Sequence, residues 1–293
     1  MLSGIGDKDE LASHGIECRN DLPGVGKNLQ DHFFTVGAWR ETDGMTDWAK
    51  LYTNPEEVKK ANEQFAKDGT GPMSVFFHGI TMGFFKADEV TETPEFAELP
   101  VHVQEHIIKP RVPVWEMACH LPPFSPSADP KKAYFSCAIF LHNPQSHGTV
   151  KLASSDPKDN PLVDPNFFSH PFDRVCGIAA AKRMLDFVET PLIKKDIIEP
   201  LDVPKSGSDE DLLAFWRSHG VSTWHPSCTV KMGKKGNSGA CVDSSFRLYG
   251  ARNLRVVDMS VTPFLPNCHI QSVAYLIGEC AAEKMIAEYG LDS

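Results

Sequence analysis

The chain has 293 residues, 41% of them hydrophobic and 23% charged, with a formal net charge of -10. That length holds one large or two ordinary domains with a real core, and the composition is that of a soluble globular protein. The acidic balance excludes a nucleic-acid binder, which needs a basic footprint, and no apolar run is long enough to span a bilayer.

Residues 1–10 have neither the basic n-region nor the apolar h-region of a signal peptide, and the chain contains no Asn-x-Ser/Thr acceptor. The eight cysteines form no CxxC and no tight framework, so they read as small buried hydrophobes. These features predict a cytoplasmic setting, or secretion if the chain belongs to a longer precursor. Residues 7–14 read as a short helix with Asp7 as N-cap and Gly15 past its end. Residues 23–31 read as a loop. Within it Gly24-Val25-Gly26-Lys27-Asn28-Leu29 lacks a third glycine and a following helical pattern, which makes it a turn rather than a phosphate cradle. No P-loop is present. An extended segment spans about 33–40. Asn54-Pro55-Glu56-Glu57 opens a helix that runs to about Lys67 and is stopped by residues 68–72.

His102-Val103-Gln104-Glu105-His106 has the letters of a metal motif that works only on a helix. Pro100 and Pro110 bracket it and Val and Ile enrich it, so a strand is expected and no metal site. Residues 134–143 are apolar and β-prone, residues 150–154 alternate, and Pro144 to Gly148 lie between, which predicts a hairpin. Helices are expected from Phe172 to about Glu189 and, after the cap Ser208, through Leu212, Leu213, Phe215 and Trp216 to near Gly220. Then comes His225-Pro226-Ser227-Cys228-Thr229, a histidine in an irregular segment, matched later by Asn267-Cys268-His269. Between them residues 254–260 read as a short buried strand ending in an acid. The last helix, from about Gln271, carries Val273, Leu276, Ile277, Cys280 and Ala281 as an apolar stripe. Histidine titrates near neutrality, so two converging histidines can share proton abstraction and stabilisation of an oxyanion.

Several ordered blocks carry a family resemblance. Ser3-Gly4-Ile5-Gly6 and residues 21–32 (Asp21-Leu22-Pro23-Gly24-Val25-Gly26-Lys27-Asn28-Leu29-Gln30-Asp31-His32) resemble the second signature of the glucose-methanol-choline (GMC) oxidoreductases and the segment after it. Residues 143–152, Asp156-Pro157 and Asp164-Pro165-Asn166 resemble that family's substrate-domain hallmark, and the two histidine segments with Val257-Asp258-Met259-Ser260 resemble its C-terminal part. The resemblance implies a mixed α/β (α+β) fold: an antiparallel substrate-domain sheet with flanking helices, plus parts of a flavin-binding domain from both chain ends. The expected division is 1–33, 34–220 and 221–293. The G-x-G-x-x-G turn that seats FAD in the whole family is not in this sequence, so the chain resembles the C-terminal half.

The resemblance further implies FAD-dependent oxidation of a small organic alcohol, with His225 as base and His269 orienting the substrate oxygen. Asp258, Met259, His269 and Ile270 match positions along the flavin, and Gln104, Trp224 and Asn267 are the expected substrate pocket. The expected partner is a chain carrying the FAD module, or a second copy. A flavin-free lyase, isomerase or cyclase using the same histidines is the alternative, as is an inactive product. The sequence departs from the family at Cys228, where Gly is usual, at Val230, often Cys, and at His147, usually Arg. Cys228 lies three residues from His225, which leaves a Cys–His nucleophilic pair as a further option.

Overall fold

The computed structural model describes residues 1–44, 51, 54–75, 81–120, 124–129 and 131–291. In chain order its main elements are β1 (Ile5–Gly6), α1 (Lys8–Ser13), β2 (Asn20–Asp21), β3 (Lys27–Leu29), β4 (Phe33–Glu41), α2 (Pro55–Asp68), β5 (Thr81–Phe85), α3 (Asp88–Thr91), α4 (Pro94–Ala97), α5 (Val101–Ile107), β6 (Trp115–Cys119), β7 (Tyr134–Leu141), β8 (Gly148–Lys151), β9 (Leu162–Asp164), α6 (Pro171–Val188), α7 (Pro191–Lys194), β10 (Ile197–Asp202), α8 (Asp209–His219) and α9 (Gln271–Tyr289). They fall into two compact units. One comprises Met1–His32, Asn143–Asp173 and Ser222–Ser293, the other Phe33–His142 and Arg174–Val221. Residues 143–173 thus pack with the chain ends.

The local signals act as expected where they are strongest. Asp7 caps α1 by accepting from the Asp9 and Glu10 amides, Asn54 caps α2, and Ser208 caps α8. Each accepts from an otherwise orphaned N–H of the first turn. Gly69 ends α2 at φ +72°, a left-handed value suited to glycine.

The unit Phe33–His142 with Arg174–Val221 holds an antiparallel sheet in the order β10-β4-β7-β6-β5. β4, β6 and β7 are buried almost throughout and form its centre. Trp216 of α8 links the sheet to the helices. It is 2% exposed, its ring meets Phe33 edge-on at 5.5 Å, and its Nε1–H donates to the Gly177 carbonyl of α6 at 2.9 Å.

Residues 101–107 are helical, not the expected strand. Pro100 stands extended before α5, its carbonyl accepts from the Val103 and Gln104 backbone amides, and the Gln104 side-chain Nε2–H donates to the Ala97 and Leu99 carbonyls. Burial of Ile107 decides the matter over the weak β preference of the valines. His102 and His106 do share a helix face, yet among the described residues no group of three or more His, Cys, Asp or Glu could hold a metal ion.

The expected hairpin is also absent. β7 ends in the large sheet, while β8 pairs with β3 and β9 in the other unit. Residues 144–146 fold onto a buried carboxylate instead of reversing the chain. Asp173 accepts from the Gln145 and Ser146 amides and the Ser146 hydroxyl, at 2.8, 2.8 and 2.6 Å. Burial pushes its carboxyl pKa upward. Gly148 then enters β8 so close to β9 that a Cβ would stand 1.9 Å from the Asp164 carbonyl oxygen.

In the same unit, residues 254–260 are not a buried strand. Leu254 and Val257 are exposed, the segment has only an isolated bridge from Arg255 to Arg247, and a 3₁₀ turn begins at Met259. α9 packs Ile277, Cys280 and Ala281 against Val242, Phe246, Leu248 and Val261. Leu276 lies at the edge of the stripe and is 60% exposed. Arg247 and Arg255 both pair with Glu288 and hold the far end of the helix. Among the described residues no helix is long and apolar enough to cross a membrane.

Replacing Trp216 tests the packing of α8. Trp216→Phe, which loses the bond to Gly177, is expected to lower unfolding free energy by about 1 kcal/mol, and Trp216→Ala by about 3–5 kcal/mol, both read from urea denaturation.

Candidate active site

His225 sits on a loop with no regular hydrogen bonding of its own. Trp224 and Cys228, on either side, adopt φ of 58° and 75°, a region non-glycine residues rarely occupy. Two other segments of the same unit hold the loop. On one side the Ser227 and Gln30 backbones exchange both of their hydrogen bonds, and the Thr223 amide and hydroxyl donate to the His32 carbonyl at 3.0 and 2.7 Å. On the other, the Cys228 and Val230 amides donate to the Met259 and Ser260 carbonyls. The buried Gln30 side chain donates to the Pro144 carbonyl at 3.0 Å and accepts from the Leu265 amide at 3.1 Å.

Asp31 anchors the histidine itself. Its carboxylate accepts the His225 N–H at 3.0 Å and the Ser222 hydroxyl, whose oxygen in turn accepts the Trp224 N–H at 2.9 Å. Burial raises the Asp31 pKa to about 6 against the pull of those hydrogen bonds. Three imidazoles stand in a row. His32 and His225 meet edge-on at 5.3 Å with their Nδ1 atoms 3.0 Å apart, and His225 meets His269 edge-on at 5.5 Å. His32 is buried, His225 half-buried and His269 exposed. A buried hydrogen-bonded ring therefore backs a pair that faces outward, which is the arrangement a proton acceptor and a neighbouring donor require.

The other expected site residues are spread more widely. Trp224, beside His225, is 75% exposed, and Asn267, two residues before His269, is half-buried. Gln104 lies in the other unit, on α5, with its amide donating to the local backbone. Asp258 caps the 3₁₀ turn through the Ser260 amide at 2.7 Å and remains exposed. The Met259 and Ile270 side chains pack with Cys228 and Leu265. Cys228 is fully buried, its thiol 3.3 Å from the Thr262 hydroxyl, and burial pushes its pKa up to about 11. A thiol held protonated and shielded is a poor nucleophile, which removes the Cys–His pair. Asp31, His32 and Ser222 were not among the expected site residues. The signal that could have found Asp31 and His32 is their place at the end of the family-like block 21–32.

A flavin could rest on part of this surface. The first turn of α9 follows Ile270 with no side-chain cap, so its amides are directed at the exposed His269 region, where they favour an electron-rich ring edge. The dinucleotide tail has no comparable place in the glycine turn. Gly26 donates its amide to the Thr229 carbonyl, Val25 to Leu22 and Lys27 to Gly24, and a Cβ on Gly26 would meet the Val150 carbonyl oxygen at 2.2 Å. Gly26 thus serves close packing against Val150 of β8, and the Val25, Gly26 and Lys27 amides are engaged within the protein.

Residues 144–278 match the family model described as GMC oxidoreductase. The chain is 32% identical over 289 residues to the glucose methanol choline oxidoreductase atC of Aspergillus terreus, covering 98% of this chain and 46% of that protein. It is 31% identical to patulin synthase of Penicillium expansum, covering 95% and 45%. Among solved structures, a fungal aryl-alcohol oxidase is 27% identical with a TM-score of 0.80, covering 100% of this chain and 53% of the other. A formate oxidase, at 24% identity and a TM-score of 0.82, shares the fold. The chain spans about half the length of the curated relatives it matches.

The buried Asp31 carboxyl has a pH signature. It ionises near 3.8 when unfolded and near 6 when folded, so between those values the folded chain binds more protons and stability falls as pH rises, levelling off above about 6. Denaturation across pH 4–7 is expected to show this fall in the wild type and to show it reduced in Asp31→Asn.

Proposed function

We propose that this chain, whose residues 144–278 match the family model described as GMC oxidoreductase, carries the acid–base half of an FAD-dependent oxidation of a small organic alcohol. The observation that carries this reading is the pairing of His225 and His269 at 5.5 Å on an anchored loop. His225 takes the hydroxyl proton. His269 donates to the substrate oxygen as negative charge develops on it. Trp224 and Asn267 would border the alcohol. FAD, when bound, supplies the hydride acceptor, and Asp258, Met259, His269 and Ile270 would lie along its isoalloxazine end. One structural relative is an aryl-alcohol oxidase, which favours an aromatic alcohol.

The reading also calls for a dinucleotide module beyond these 293 residues, on a partner chain or on a longer chain to which they belong. The outer face of α9, with Tyr275 72% and Leu276 60% exposed, is where such a module would seat, because an uncovered apolar face is normally closed by a partner.

Titrating FAD into the chain alone is expected to give weak or no binding, since most dinucleotide affinity comes from a glycine-rich turn and helix N-terminus on the pyrophosphate. Tight, stoichiometric binding with a perturbed visible spectrum would show that no separate module is needed. In flavin-loaded protein, His225→Ala and His269→Ala are each expected to lower turnover of aryl alcohols by about 10²-fold or more with unchanged folding. Turnover that survives both substitutions would end the proposal. Turnover that depends on His225 without any flavin would favour lyase or isomerase chemistry instead.

A further inference from the structure

We infer that His32 is the positioning residue that decides which nitrogen of His225 carries the proton. The inference deepens the oxidoreductase reading and rests on it for the role of base. The two Nδ1 atoms are 3.0 Å apart and the rings cross at 79°. A neutral imidazole presents one donor and one acceptor nitrogen, so a single proton lies between these atoms and belongs to one ring or the other. If His225 owns it, the acceptor lone pair of His225 is on Nε2, which can take a proton from a substrate. If His32 owns it, His225 Nε2 is already protonated and can only donate. The tautomer of a ring that never meets substrate thus sets the chemistry of the one that does.

The first state is the one proposed, because it leaves the outward-facing nitrogen of His225 able to accept. His32 is 2% exposed and its backbone carbonyl is held by the Thr223 amide and hydroxyl. The preceding residue, Asp31, holds the His225 N–H at 3.0 Å. One dipeptide therefore grips both the backbone and the ring of His225. With the proton on His225 Nδ1, transfer of the substrate hydroxyl proton to Nε2 leaves that Nδ1–H in place. Its bond to His32 Nδ1 is then donated by an imidazolium, and charge-assisted hydrogen bonds are roughly twice as strong as neutral ones. The contact strengthens as the proton moves, which is the kind of interaction that lowers a barrier rather than merely binding the ground state.

The experiment is a long-range ¹H–¹⁵N correlation spectrum of the ¹⁵N-histidine-labelled chain, with the His225 ring assigned by its loss in His225→Gln. In the wild type the neutral His225 ring is expected to carry its proton on Nδ1. In His32→Phe, which keeps a ring but offers no acceptor, the majority form is expected to invert to Nε2–H. In His32→Gln, whose side-chain carbonyl can accept the same proton, the wild-type form is expected to persist. A wild-type ring with its proton on Nε2, or a ring whose tautomer is the same in wild type and His32→Phe, would overturn the inference. Should His32→Phe fail to fold, the wild-type and His32→Gln spectra decide, and Nε2–H in either overturns it. No turnover is needed for this readout. An absence of alcohol oxidation would therefore remove the oxidoreductase reading and leave this one standing, whereas oxidation by an Nε2–H His225 would do the reverse.

Discussion

The site depends on Gln30, Asp31 and His32, consecutive buried polar residues that hold a loop which could not hold itself. Trp224 and Cys228 bracket the histidine in left-handed backbone. Such conformations are unfavourable by about 1–3 kcal/mol each and persist only when their surroundings over-determine them. Gln30 does this through paired backbone bonds to Ser227, Asp31 through the His225 amide and Ser222, and His32 through Thr223 and the ring of His225. Cys228 takes the place of the missing glycine at a strained φ, but its thiol fills a gap beside Thr262 and Gln30. The departure from the family pattern is therefore absorbed inside the core.

A second buried carboxylate does comparable work on the same unit. Asp173 gathers the amides of Gln145 and Ser146 and so ends the path of the chain out of the large sheet. Desolvating a carboxylate is unfavourable unless its oxygens are hydrogen-bonded, and here all the partners come from one short turn. That turn delivers Gly148 into β8, where only a residue without a Cβ fits against Asp164. The small sheet β3-β8-β9 in turn carries β3, and the residues immediately after β3 are Gln30 to His32. The anchor of the His225 loop thus begins at a glycine contact on the neighbouring strand.

Opposite demands meet in the C-terminal helix. Its inner face, through Ile277, Cys280 and Ala281, closes a core with Val242, Phe246 and Leu248, while Tyr275 and Leu276 stay exposed. The first turn lacks a side-chain cap, and the last is held by Arg247, Arg255 and Glu288. A helix tied firmly at its end and open at its start leaves the amides beside His269 available to a bound group.

What the sequence determined by itself was local. The caps Asp7, Asn54 and Ser208, the stop at Gly69 and the helices they bound depend on residues within one turn of each other, and they stand where the pattern placed them. The family-like blocks likewise pointed to the C-terminal GMC domain because their residues occur in order along the chain. Decisions between distant segments were out of reach. Alternation in residues 150–154 could not say that β8 would leave β7 for β3 and β9, because strand pairing depends on partners far away in sequence. The valines around Gln104 could not reveal that burial of Ile107 and bonds to Ala97 and Leu99 would favour a helix. The roles of Asp31 and His32 exist only once residues about 190 positions away are folded against them. A proton shared by two rings is a property of their distance, and only the tertiary structure sets that distance.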